Sequence, residues 1–313
     1  MTQRLKGVLA GVANIITFFF SSQKLEYKLF TFNLSILTVL PFLRRISLSL
    51  FKTRLMHNWL PHFWRWGLLH GTIRSCSQDD RLFFIKNVFY PELEKCDVFE
   101  EFKELCDKLL TDGYLRLEGV FSTEDIKKIN SELDGLTRKS GQVWSQGTAM
   151  RKKSGFFCWD PQQVISNSVI NGYLGKVPFL SLISKLKSPK FSFYSLNPYG
   201  AFANARNHYV QKFHRDYDGF LSFSAMILLT DSDEKNGATE LLINEASKDI
   251  QKQNVFLQGN AGDVLIFDTF SLHRANSYLE NERRLMWLRF GEFPNGGVAQ
   301  DIGWKISKIL KAI

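Results

Sequence analysis

Five short segments in the second half of the chain read as strands at recurring intervals, and Gly-containing turns punctuate them: Lys190 to Leu196, Ser222 to Leu229, Ala238 to Ile243, Asp263 to Asp268 and Arg284 to Gly291. Few helical stretches lie between them. A parallel sheet needs a helix-length crossover between successive strands, so this pattern excludes a doubly wound α/β fold and points to a β-sandwich or barrel. Asn236-Gly237 reads as a hairpin turn between the second and third segments, and Asn260 to Gly262 as the turn before the fourth.

Upstream of the strands the texture is helical. Val98 to Leu110 carries apolar residues at three- and four-residue intervals, which predicts an amphipathic helix. Gly113 to Val120 alternates like a strand. Ser122 then precedes Glu124 and Asp125 at the head of a second helix, as an N-cap with acids in the first turn. The expected class is mainly β with a helical cover, an α+β arrangement whose helices come first.

Charge divides the chain more sharply than hydropathy does. Up to Ser75 there are ten Lys and Arg against one acid, Glu26, so this quarter carries the entire formal charge of +9 and the remainder is neutral. We therefore expect two parts: a basic, aromatic-rich helical extension over residues 1–76, and a domain over 77–313. The charge-free runs at 7–22 and 29–43 fall short of the ~20 residues of a membrane-spanning helix. No small-residue cleavage signal follows Phe20, which argues against a secretory leader. Bases interleaved with Phe, Leu and Trp suit either helices at a membrane surface or helices packed over the body, and residues 1–75 are the expected site of any peripheral membrane contact. His57, His62 and His70 lie here with no carboxylate beside them and are assigned no ligand role.

Cys76, Cys96, Cys106 and Cys158 form no C-x-x-C pair, and a chain of 313 residues can bury a core without disulfides. The expectation is a reducing compartment, cytoplasmic or peripheral at a membrane.

The candidate chemistry rests on three residues. His214 and Asp216 sit two apart, so an extended backbone points both side chains the same way. His273 lies 59 positions beyond His214, where another strand can present it to the same point. Two imidazoles and one carboxylate on one face of an ion leave the opposite positions open, the arrangement of non-haem Fe(II) oxygenases. Arg283 and Arg284 enter the last strand, and one of them can hold a carboxylate in a bidentate fork.

These residues, taken together, resemble the phytanoyl-CoA dioxygenase family over about residues 100 to 295. The resemblance runs from Asp112-Gly113-Tyr114-Leu115 and Gly119-Val120-Phe121-Ser122, through the His214/Asp216 pair and Ala225 to Asp231 with Asn236-Gly237. It continues through Ala261 to Phe267 and His273, and ends in Arg283 to Phe290. It implies a double-stranded β-helix (jelly-roll) core and an Fe(II)/2-oxoglutarate-dependent dioxygenase. It also implies His214, Asp216 and His273 as metal ligands, and 2-oxoglutarate and O₂ as co-substrates. The implied reaction is hydroxylation of an unactivated C–H in a small organic or lipid-like substrate, with 2-oxoglutarate converted to succinate. A carboxylate at Asp216, rather than the small residue of halogenating relatives, favours hydroxylation.

The co-substrate arginine is Arg284 if eleven residues are counted from His273, and Arg283 if the last strand is aligned through Arg289-Phe290. We favour Arg283, because loops change length more readily than strands change register. Asn207, Tyr209 and Gln211 are candidates for further co-substrate hydrogen bonds, and His208 is taken as structural. Two departures stand out: Ala275 replaces a frequent Ser two residues beyond the distal His, and Asn244 to Lys248 replaces a Gly-Ser-His loop at the substrate entrance. Two other readings are a membrane-associated binding protein with a vestigial metal site, and a nucleic-acid demethylase suggested by the basic N-terminus and the Arg283/Arg289 spacing. The neutral body speaks against the second.

Overall fold

The computed structural model describes residues 77–140, 156–186, 191–201, 211–216, 219–243, 253–276 and 280–291. The basic extension at 1–76, with its membrane-contact reading and its three histidines, lies outside them. The described chain forms two compact units divided at Glu94/Lys95, the short piece ending at Leu221 belonging to the first.

In the first unit, Ser77 opens helix α1 (Gln78–Phe84) with a capping box that includes Asp80. A π-helical turn at Ile85–Phe89 leads into α2 (Tyr90–Leu93). The unit is tied to its distant piece by Arg81, whose buried Nε donates to the Phe220 carbonyl at 2.5 Å, and by Phe84, stacked on Phe220 with centroids 4.0 Å apart.

The second unit begins with α3 (Phe99–Asp112), which ends where Gly113 turns left-handed at φ +79°, and β1 (Tyr114–Leu117) follows. The capped helix α4 (Thr123–Asp134) has the expected reciprocal bonds between Ser122 and Asp125. Next come β2 (Arg138–Ser140), β3 (Phe156–Trp159), α5 (Pro161–Ser166), α6 (Ser168–Leu174) and α7 (Pro178–Leu186). The strand series is β4 (Ser192–Ala201), β5 (Ser222–Leu228), β6 (Thr239–Ile243), β7 (Gln253–Leu257), β8 (Val264–Asp268), β9 (Leu272–Ala275) and β10 (Arg283–Gly291).

All ladders are antiparallel, in a seven-stranded sheet ordered β1-β8-β5-β10-β4-β3-β2 and a three-stranded sheet ordered β7-β6-β9. Among the described residues neither sheet closes on itself. Met226, Leu228, Leu265, Phe267, Leu285 and Trp287 of the large sheet share one buried cluster with Leu241 and Leu257 of the small one, so the two sheets enclose a common interior. The other face of the large sheet is covered by helices, which bring Phe102 and Phe179 against Phe191 and Phe290. Part of the phenylalanine content is thereby accounted for by this sheet-to-helix layer.

One local expectation is corrected. Asn236-Gly237 does not close a hairpin between β5 and β6, because these strands lie in different sheets. Asp233 organises the turn instead: its side chain accepts from the Asn236 N–H and its carbonyl from the Ala238 N–H, while Gly237 takes φ +73°. The turn carries the chain from one sheet to the other. The turn at Asn260 to Gly262 does precede β8. Gly262 has φ +104°, and a Cβ there would lie 2.3 Å from the Phe121 carbonyl oxygen.

Candidate metal centre

The strand order brings the three predicted ligands together. His273 projects from β9, opposite Leu241 of β6. The segment ending in Asp216 runs along β9 on its other side: His214 and His273 exchange both backbone N–H to carbonyl bonds at 2.9 Å, and the Asp216 N–H donates to the Thr269 carbonyl at 3.0 Å. Backbone pairing thus fixes two chain segments that the sequence separates by 59 positions.

The imidazoles are oriented from behind. His214 Nδ1 lies 2.7 Å from the Lys212 carbonyl and His273 Nδ1 lies 2.9 Å from the Ser271 carbonyl. A carbonyl only accepts, so each Nδ1 carries the proton and each Nε2 presents a lone pair. His214 Nε2 is 3.9 Å from Asp216 Oδ1, and His273 Nε2 is 3.6 Å from Asp216 Oδ2. One ligand atom from each residue can be chosen so that all lie within 4.8 Å of one another. Cis ligands about 2.1 Å from a divalent ion stand roughly 3 Å apart, so the set would draw together around an ion. His273 Nε2 is buried with no hydrogen-bond partner, which an ion would supply. The residues fit a metal of the two-His, one-carboxylate type.

The electrostatics keep the donors in their ligating forms. Burial lowers the His214 pKa, and the neighbouring His273 lowers it further. Burial alone would raise the Asp216 carboxyl, but the Arg289 guanidinium and the two imidazoles carry it well below the usual carboxylate range. Arg289 contacts Asp216 Oδ2 through Nη2, and its guanidinium carbon lies 4.6 Å from the centre of the Trp287 ring.

The two candidate co-substrate arginines have opposite environments. Arg284 leaves β10 on the helical side, where Nε donates to Glu282 at 2.6 Å and Nη1 to Asp134 at 2.9 Å. Arg283 is 4 % exposed; among the described residues its Nε has no partner, and its Nη2 approaches the Met226 sulfur at 3.9 Å. No carboxylate pairs with it among the described residues, and burial lowers its pKa. A buried guanidinium without a counter-charge is costly unless an anion joins it.

Thr239 had no place in the sequence reading. It is the direct cross-strand partner of Ala275, and its buried Oγ1 donates to the same Met226 sulfur, at 3.4 Å. A hydroxyl therefore exists in the strand opposite the position where Ser was expected. Its sequence signal was slight, a Thr two residues after Gly237. Gln211 is half-buried, three residues before His214, whereas Asn207, His208, Tyr209 and the 244–248 loop lie outside the described residues. Cys96, Cys106 and Cys158 are free thiols, and no helix among the described residues is long and apolar enough to cross a membrane.

No family model and no curated protein sequence matches this chain. Solved structures do. The non-heme α-ketoglutarate-dependent epimerase SnoN from nogalamycin biosynthesis is 15% identical, over 62% of this chain and 84% of its own, with a TM-score of 0.41. EctD from S. alaskensis, solved with 2-oxoglutarate and 5-hydroxyectoine, is 15% identical over 61% of this chain and 76% of its own, with a TM-score of 0.45. HygX from Streptomyces hygroscopicus, solved with nickel, 2-oxoglutarate and hygromycin B, is 12% identical over 61% and 86%, with a TM-score of 0.38.

Proposed function

We propose that the chain is an Fe(II)- and 2-oxoglutarate-dependent oxygenase of jelly-roll fold that hydroxylates an unactivated C–H of a small organic or lipid-like molecule. The observation that carries this reading is the pairing, within one domain, of a two-His, one-carboxylate cluster with a buried arginine that has no carboxylate partner among the described residues. The strand order supports the fold: β4, the His214 segment, β5, β6, β7, β8, β9 and β10 pass between the two sheets in the alternating manner of a jelly roll.

His214, Asp216 and His273 would hold the metal, and their one-sided arrangement leaves room for a chelating acid and for O₂. When bound, the iron supplies the oxidising chemistry, in which substrate, O₂ and 2-oxoglutarate become hydroxylated substrate, succinate and CO₂. The protein's own groups do the rest. Arg283 pairs with the far carboxylate of 2-oxoglutarate through its fork, and Thr239 offers a hydroxyl from the neighbouring strand. Leu285, Trp287 and Met226 exclude water around that ion pair, which strengthens it.

The test is succinate formation from 2-oxoglutarate by the full chain with Fe(II) and O₂, over a panel of apolar and polar small molecules. Iron-dependent turnover that disappears in Asp216→Ala supports the reading. Absence of succinate from folded, iron-loaded protein across the panel, including the uncoupled background, contradicts it and favours a binding protein.

A further inference from the structure

The metal cluster accounts for His214, Asp216 and His273, and the co-substrate accounts for Arg283, but neither uses Arg289. This residue is 9 % exposed and projects to the interior side of β10, the face shared by Arg283, Leu285 and Trp287. Its mounting is stiff. β10 is flanked by β4 and β5, with Arg289 opposite Ser195 and Ser224, and the guanidinium lies over Trp287, which is itself braced edge-on by Tyr199 at 6.0 Å between centroids.

Asp216 is mounted differently. It belongs to no strand, and its N–H donates to the Thr269 carbonyl. A short carboxylate on irregular chain has rotamer freedom that ligation must remove. The contact from Arg289 Nη2 falls on Oδ2, which also lies 3.6 Å from His273 Nε2, while Oδ1 lies 3.9 Å from His214 Nε2.

We propose that Arg289 is a positioning residue of the metal centre: it grips Asp216 by Oδ2 and so fixes the direction in which the carboxylate faces the ion shared with His214 and His273. This rests on the metal-centre reading above. The planar fork suits the role because it fixes direction as well as charge, which an ammonium on a flexible stem does not. A cation beside the ion is tolerable because it offsets the buried negative charge of the carboxylate.

Co(II) is the probe, titrated anaerobically into the full chain and followed by its visible absorption, with no turnover needed. Wild type is expected to bind one Co(II). Arg289→Met keeps the stem over Trp287 and removes the fork, and should weaken Co(II) binding by about 10- to 100-fold, the usual cost of losing a ligand's outer partner. Its visible spectrum should change as the carboxylate changes its mode of binding. Arg289→Lys should recover only part of the affinity, and it carries the test if the Met variant fails to fold. Unchanged affinity and spectrum in these variants overturn the inference, and tighter binding overturns it too, showing that Arg289 competes with the ion. Should wild type itself bind no Co(II), the metal-centre reading falls and not merely the part assigned to Arg289.

Discussion

Arg283 and Arg284 are neighbours on β10 yet leave it on opposite faces, Arg283 into the buried interior with no carboxylate partner among the described residues and Arg284 outward to Asp134 and Glu282. Strand alternation makes this division unavoidable, since adjacent side chains cannot share a face. Their substitutions should therefore have opposite signatures.

Arg283→Met should weaken 2-oxoglutarate binding by roughly 100-fold, the loss of a charged fork to a carboxylate. It should also raise the stability of the unliganded protein by about 1 kcal/mol or more, because it removes an uncompensated buried charge. Isothermal titration and urea unfolding read the two effects. A destabilised Arg283→Met with unaltered affinity would show that the guanidinium has a structural partner instead.

Arg284→Met should leave 2-oxoglutarate affinity within about two-fold and cost about 1 kcal/mol of stability. The estimate is modest because Asp134 is half exposed and solvent screens that pair. The same two measurements decide it, and a large loss of affinity here would reverse the assignment of the two arginines.

Thr239→Val removes the hydroxyl opposite Ala275 while keeping the branched shape that suits β6. Affinity for 2-oxoglutarate should drop by about ten-fold, as expected for one hydrogen bond to a charged group. The double variant Thr239→Val/Ala275→Ser should recover part of it, by returning a hydroxyl from the facing strand.

The pH dependence of the metal-free protein follows from His214. Its pKa is lowered on folding, so between the folded value and the ordinary value of about 6.5 the unfolded chain binds more protons. Stability then rises with pH through this window and levels off above it, and it is lost as pH falls below about 6.5. In His214→Asn the slope in that window should be shallower than in wild type, as measured by urea midpoints at a series of pH values. Asp216, whose pKa is also lowered, adds a loss only at much lower pH, as pH falls through its folded value.

How far the sequence could be read depended on whether a feature is local. Ser122 with Asp125 announced a helix start, and Gly113 a helix end, because caps and left-handed turns are decided by a few adjacent residues. The three helices between Pro161 and Leu186 went unread, although Asn167 caps α6 and Pro178 starts α7. The Asn236-Gly237 turn was recognised as a turn, but its partner strands were misassigned, since turn chemistry does not say which sheet the next strand joins. His214 and Asp216 were visible through their spacing, whereas their proximity to His273 depends on β9 lying between β6 and the His214 segment. Thr239 was the least legible, and Arg289 was visible only through its place in the last strand and its spacing from Arg283. Their importance comes only from what stands across from them, Ala275 and Asp216.

Equilibrium dialysis of the full chain against Fe(II), without oxygen, tests the central claim most directly. The account predicts one ion per chain for wild type and none at the same free concentration for folded His214→Ala, Asp216→Ala or His273→Ala. Equal uptake by those variants, or no uptake by folded wild type, would contradict it.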